Sequence, residues 1–331
     1  MHRTADGPAL RVGVLGCAGI AWRNTLPAVL RVPEVRLTAL ASRDPAKART
    51  FADRFGGTPV EGYDRLLTRD DVDAVYVALP TGLHHHWARR ALLAGKHVWA
   101  EKPLAATAEQ AEDLVRLARA NGLVLRDNFM FLHHSQHAVV ARVIAEGRIG
   151  EPRSFSSAFG IPPRPDDDVR LSAELGGGAL LDVGVYTVRA AQLLLGDDLT
   201  VAGSVLRVDR ARGVDLAGSA LLHTPDGRTA ALAFGFDRAY RSTYAVWGSE
   251  GRLSLDRAFT PPATHRPLLR IERQDHHEEL SLAPDDQFAQ LVRAFAAAVR
   301  EKRDHRPYEE TLLRHAALTD SIREGARLVA G

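Results

Sequence analysis

Two short segments carry residue types that together could move a hydride and a proton. The first, Ala100-Glu101-Lys102-Pro103, ends an apolar run. A lysine at the carboxyl end of a strand faces the place where open α/β sheets bind ligands, and carbonyl reduction needs a cation beside the oxygen that turns negative. A lone lysine is otherwise more often a solvated surface charge. The second segment runs from Glu174 through Gly176, Gly177 and Gly178 to Asp182, Gly184 and Tyr186. Its glycine triplet permits a close backbone approach and then opens a helix, on which Asp182 and Tyr186, four apart, share a face. A phenol near an ammonium gives up its proton more readily, which makes Tyr186 a candidate acid, with Asp182 fixing the geometry. Spacing alone leaves open that Tyr186 is a packed aromatic and Asp182 an ordinary helix residue.

A dinucleotide fits a third segment. Gly16-Cys17-Ala18-Gly19-Ile20-Ala21 stands between a first strand and a first helix. In the G-x-G-x-x-G/A fingerprint, Gly16 makes the turn and Ala21 packs helix on strand, while Ala18 departs from the second glycine. Its position supports it more than its spelling does, because amides at a helix N-terminus face an anion there. The next strand ends Ala41-Ser42-Arg43, without the carboxylate that accepts the ribose hydroxyls of NAD. Arg43 offers a fork for a 2′-phosphate, and Asp44 reads as the cap of a helix opening at Pro45, so NADPH is expected over NADH.

The elements around these segments divide the chain. Apolar runs at Leu10–Leu15, Val35–Ala41, Ala74–Leu79 and His97–Ala100, with another strand starting at Val124, alternate with helical stretches at Ile20–Leu30, Pro45–Phe55, Leu83–Ala94 and Ala108–Ala120. That alternation predicts a doubly wound parallel sheet, an α/β domain over residues 1–128. Beyond a helix at Gln136–Glu146, strand patterns follow one another at Arg153–Ile161, Thr200–Val208, Leu216–His223, Thr229–Phe236, Tyr240–Trp247, Arg252–Leu255 and Leu268–Glu272. The turn Thr224-Pro225-Asp226-Gly227 has hairpin chemistry, and helices are expected at Ala179–Leu195, Asp285–Glu301 and Glu309–Val329. An antiparallel α+β domain over residues 129–331 is the reading.

Composition narrows the function. The 331 residues carry a net charge of +2 with both signs interspersed, so no basic nucleic-acid face emerges. Cys17 is the single cysteine, which excludes an internal disulfide and fits a reducing cytoplasm. The polar start lacks a signal-peptide core and no run suits a membrane span, so a cytoplasmic protein with no membrane partner is expected. The histidine runs His84-His85-His86, His133-His134 with His137, and His276-His277 lack metal-ligand spacing, and no metal is expected.

In order and separation, the Gly16–Ala21 loop, Glu101-Lys102-Pro103 and the Gly176–Tyr186 segment resemble the glucose-fructose oxidoreductase/inositol dehydrogenase (Gfo/Idh/MocA) family over essentially the whole chain. The resemblance implies a Rossmann domain followed by a mostly antiparallel open sheet that serves substrate binding and oligomerisation, giving a homo-oligomer (dimer or tetramer). It implies that Lys102, with Glu101, lies beside the nicotinamide, through a cis bond to Pro103, and that Leu79 and His84 stand on the cofactor side of the cleft. Most of the family has histidine where Tyr186 stands. Asn128-Phe-Met-Phe-Leu-His-His134, Ile161-Pro-Pro-Arg164-Pro165, Asp182-Val-Gly-Val-Tyr186 and Phe259-Thr-Pro-Pro262 are similar to a narrower branch, the sugar 3-ketoreductases of deoxysugar and antibiotic biosynthesis. That likeness implies reduction at C-3 of a dTDP-linked 3,4-diketo-2,6-dideoxyhexose with NADPH, tyrosine being the acid. Arg164 and Arg170 would then meet the diphosphate of a nucleotide-sugar substrate, unless they are solvated loop charges. Two other readings stand beside this one: a dehydrogenase of an aldose or trans-dihydrodiol, and a non-catalytic NADP-binding regulator.

Overall fold

The computed structural model describes residues 8–301 and 304–331. The chain folds into two compact units, residues 1–129 with 288–309, and residues 130–287 with 310–331. The sequence boundary after residue 128 falls beside the first of these divisions. The helix over 287–301, however, groups with the first unit: its Phe295 ring lies 5.6 Å from Trp99, a long-range packing that no local pattern announces.

The first unit is built on six parallel strands in the order β3-β2-β1-β4-β5-β6: β1 (Leu10–Leu15), β2 (Val35–Ser42), β3 (Thr58–Glu61), β4 (Ala74–Val77), β5 (His97–Ala100) and β6 (Leu125–Asp127). The order reverses between β1 and β4, the switch point at which doubly wound sheets bind dinucleotides. Connecting helices are α1 (Leu26–Leu30), α2 (Pro45–Phe55), α3 (Tyr63–Leu67), α4 (His84–Leu93) and α5 (Ala108–Ala120). Apart from Arg11 and His97, strands β1, β4 and β5 are apolar because helices cover both faces, and Val14, Leu15, Val75 and Val98 are fully buried. A wide π-turn, Ala21–Thr25, opens the first helix, where a regular α-helix is expected from Ile20.

In the second unit, α6 (Ser135–Ala145) precedes β7 (Pro152–Gly160), and a wide turn at Leu180–Gly184 runs into α7 (Val185–Leu195). Then come β8 (Thr200–Asp209), β9 (Val214–His223), β10 (Thr229–Gly235), β11 (Arg241–Gly248), β12 (Arg252–Asp256), β13 (Leu268–Arg273) and β14 (His276–Ser281). Helices α8 (Gln287–Glu301) and α9 (Arg306–Glu324) lead to β15 (Ala326–Ala330). The nine strands form one sheet, β14-β13-β12-β11-β7-β10-β9-β8-β15. It is antiparallel except where β7 meets β10 and β8 meets β15.

Three strands escape the sequence reading. β3 buries only Val60 among four residues. β14 is polar, held at the sheet end by pairs such as Arg270 with Glu279 (2.8 Å). The helix expected to reach Val329 ends at Glu324; the chain beyond Gly325 pairs in parallel with β8, Leu328 opposite Leu206. Among the described residues no helix is long and apolar enough to cross a membrane.

Candidate active site

The loop after β1 has the form a diphosphate requires. Gly16 sits at φ +99°, and a Cβ there would collide with the Ala78 carbonyl oxygen, so strand, loop and β4 can close up only around glycine. Cys17 is buried, which lifts its thiol to about 11 and keeps it protonated at neutral pH. Asp44 caps α2, accepting from the amides of Ala46 (2.9 Å) and Lys47 (3.3 Å), so its carboxylate is committed to the helix, as expected. Ser42 is buried and Arg43 exposed, the latter against Tyr63, whose hydroxyl burial raises and Arg43 lowers. The charge of Lys47, which the sequence reading missed, opposes the rise of the Cys17 thiol and so acts on the loop. Arg23 is a second omission: its guanidinium lies 2.9 Å from the position of a Gly19 Cβ, above the same loop. The glycine turn, the helix-end amides and the cations Arg23, Arg43 and Lys47, with Asp44 committed to its helix, together fit a phosphorylated dinucleotide.

Behind the end of β5 lies a buried polar chain. Tyr76 and Asn128 both donate to Glu101 Oε1, Trp99 Nε1 donates to Asn128 Oδ1 (3.0 Å), and Thr25 Oγ1 lies 3.2 Å from the Tyr76 hydroxyl. Burial raises the Glu101 carboxyl, opposed by Tyr76, the Lys102 charge and Asn128. Lys102 itself is half-buried, and its bond to Pro103 is cis, as the resemblance implied. His84 is held between two backbone carbonyls. It is buried, with Nδ1 2.8 Å from the Pro103 carbonyl and Nε2 2.7 Å from that of Leu79. Burial favours the neutral ring, which can donate to one of the two. His84 thus links the end of β4 to the turn after Lys102. Among the described residues, no group of three or more His, Cys, Asp or Glu side chains is placed to hold a metal ion.

In the second unit, Tyr186 is 5% exposed and set among aromatic rings: Phe159 at 5.2 Å, Phe259 at 5.6 Å and Phe131 at 5.9 Å between centroids. Its hydroxyl donates to Met130 Sδ at 3.5 Å, a weak acceptor. The floor is tied down by α6, where Gln136 Nε2 donates to the Ala258 carbonyl (3.0 Å) and His137 Nδ1 meets the Tyr244 hydroxyl (2.8 Å). Asp182 lies in the wide turn and Tyr186 in α7, so their four-residue spacing is not that of a regular helix.

Asp182 Oδ2 accepts from Arg170 Nε at 2.7 Å. Arg170 also pairs with Asp168 (3.1 Å), as does Arg164 (2.9 Å), so both guanidinia, read as diphosphate ligands, are engaged with carboxylates here. The Asp182 charge pushes Arg170 still further above its ordinary value. Gly177 lets this loop fold over: a Cβ there would strike the Arg170 carbonyl oxygen.

Residues 10–129 match the oxidoreductase family with an NAD-binding Rossmann fold, and residues 137–254 match the GFO/IDH/MocA C-terminal domain. The dTDP-3,4-didehydro-2,6-dideoxy-alpha-D-glucose 3-reductase of Actinomadura kijaniata is 55% identical over 327 residues, 99% of this chain and 98% of that protein. The crystal structure of KijD10, a 3-ketoreductase from Actinomadura kijaniata, in complex with NADP and TDP-benzene, superposes with a TM-score of 0.96 at 55% identity, covering 98% of this chain and 99% of that one. The Y186F mutant of KijD10, with the same two ligands, gives a TM-score of 0.96 at 54% identity, with the same coverage of the two chains. The chain belongs to the Gfo/Idh/MocA family, and it is an oxidoreductase.

Proposed function

We propose that this enzyme reduces the C-3 ketone of a dTDP-linked 3,4-diketo-2,6-dideoxyhexose with NADPH. The observation that carries the reading is identity of 55% along essentially the full length of a reductase named for that substrate, in a chain that keeps Lys102 at a strand end and Tyr186 in an aromatic nest. Bound NADPH supplies the hydride. The Gly16–Ala21 amides hold its diphosphate, and Ser42, Arg43 and Lys47 hold its 2′-phosphate. The Lys102 ammonium stabilises the alkoxide as charge develops on the C-3 oxygen, and the Tyr186 hydroxyl gives that oxygen its proton. Asp182, clamped by Arg170, orients the sugar. Arg164, which has a single carboxylate partner among the described residues, is the better placed of the two arginines to exchange it for the substrate diphosphate. Structures of KijD10 variants named Y186F and K102A, each with NADP and TDP-benzene, bear on residues of the same types and numbers.

In this reading residues 1–128 bind the dinucleotide and residues 129–331 bind substrate and a second copy of the chain. Exposed Val205, Leu221 and Trp247 (42, 47 and 65%), beside small Ser156, Ala158, Ser219 and Ala233, mark the sheet surface through which copies would join. The regulator alternative has no support from relatives that are themselves named as enzymes. The test is to mix enzyme, NADPH and a dehydratase-generated diketo sugar and follow the reduced-nicotinamide absorbance. Rapid oxidation of NADPH, slower with NADH and with Arg43→Ala, is expected. No oxidation, or preference for NADH, overturns the reading.

A further inference from the structure

The helix that carries Tyr186 begins without a cap of its own. Its first residue, Ala179, has no side chain that could accept from the amides that follow, and the opening turn is of the wide kind. A carboxylate from elsewhere in the chain fills that role. Leu180 N–H donates to Asp215 Oδ2 at 2.7 Å across 35 residues of sequence, and the neighbouring Ala179 amide helps to hold that carboxyl down against its burial. The other oxygen, Oδ1, lies so close to Gly178 that any Cβ there would strike it, and Gly178 stands at φ +117°. Sheet and helix therefore meet through one carboxylate, with one oxygen on the amides and the other against the glycine.

We propose that Asp215 is a positioning residue, whose carboxylate on β9 grips the amide end of the segment leading through Asp182 to Tyr186 and so sets where the phenol stands. The proposal extends the reading of Tyr186 as proton donor and rests on it. A negative charge suits this place because helix-end amides are partly positive. Other charges nearby are paired off: Arg323 of α9, which faces Asp215, with Asp320; Asp182 with Arg170; and Asp209 of β8 with Arg212. Burial lifts the Asp215 carboxyl to about 6, against the pull of the amides and Arg323. The grip is thus full above that pH and loosens as the group takes up a proton below it.

Asp215→Asn keeps the size of the side chain and removes its charge. It is expected to lower kcat about ten- to a hundredfold, the cost of a small displacement at a reacting centre. NADPH affinity, read by fluorescence titration, stays unchanged. An acid limb of kcat with a midpoint near 6 is expected in the parent enzyme and absent from the variant. Hydrogen exchange at the Leu180 amide speeds up. Parent values of kcat, of its acid limb and of Leu180 exchange in the variant overturn the proposal. Should the variant fail to fold, exchange of the 179–184 amides in the parent, measured from about pH 5 to 8 and corrected for intrinsic rates, decides. Protection that falls as Asp215 is protonated supports the grip, and protection indifferent to pH overturns it. Tyr186→Phe runs alongside. If it keeps full turnover, the proton-donor reading falls, whereas exchange at Leu180 still reports what Asp215 holds.

Discussion

Lys102 and Tyr186 are set in unlike surroundings. Behind the strand that delivers Lys102, polar side chains converge from several elements: Tyr76 on β4, Glu101 beside the lysine, Asn128 past β6 and Thr25 in the opening turn of the first helix. Around Tyr186 there are three phenylalanines and a thioether. A cation that must meet developing negative charge benefits from neighbours with protons to share. A phenol packed edge and face against aromatic rings is held in one orientation by their shape, which is what the proposed proton delivery would need. In the proposed mechanism one step would thus draw on a polar backing in one place and an apolar one in the other.

That contrast can be broken from either side. The largest effects are expected at the two residues themselves. Tyr186→Phe and Lys102→Met should each cut turnover by about two to four powers of ten, the first with NADPH affinity unchanged, as read by steady-state rates and fluorescence titration. A Tyr186→Phe enzyme at full turnover, with chemistry rate-limiting, removes the phenol from the mechanism. Next comes the polar chain. Glu101→Leu leaves Tyr76 and Asn128 without their common acceptor and should lower the unfolding free energy by about 1–3 kcal/mol in a denaturant titration. A neutral result would mean that the chain is not sealed from water.

The two surroundings also differ in the sign of their response to pH. Burial pushes His137, beneath the aromatic nest, from 6.5 down to about 3, so the folded protein keeps it neutral while the unfolded chain protonates it. Stability from this residue is full above 6.5 and is lost as pH falls from there towards 3, by up to about 1.4 kcal/mol per pH unit. Glu101 is shifted upward, so the folded state holds its proton more tightly than the unfolded chain does. Its contribution is present in acid and is lost as pH rises through the folded value. His137→Gln should therefore flatten the fall of Tm between pH 7 and 5, and an unaltered slope would contradict the assignment. The smallest effect concerns Asp44: replacing this cap with alanine should cost about 1 kcal/mol of stability without changing turnover at saturating NADPH.

Legibility in the sequence follows the same division. In the first unit the buried strands β1, β2, β4 and β5 are short apolar runs followed by helices, so the doubly wound class, the glycine turn and the Asp44 cap are legible from neighbouring residues. Val60, the lone buried residue of β3, gave too little pattern. In the second unit β15 belongs to the sheet only through β8, more than a hundred residues earlier, and its sequence reads as a continuation of the helix that ends before Gly325. Lys102 and Tyr186 stood out by their motifs. The family resemblance sets Glu101 beside the nicotinamide, but nothing in its spacing announces Tyr76 and Thr25, nor does any local signal connect Asp215 with Leu180. Arg170 was read for its charge alone, and the partner that defines its place, Asp182, lies twelve residues on.

The central claim is hydride delivery to one carbon of one sugar. NADPH deuterated at the transferring position of its nicotinamide, turned over with the diketo sugar nucleotide and followed by NMR of the product, tests it most directly. A single deuterium at C-3 of the hexose is expected. Deuterium at C-4, or a product without the label, would contradict it.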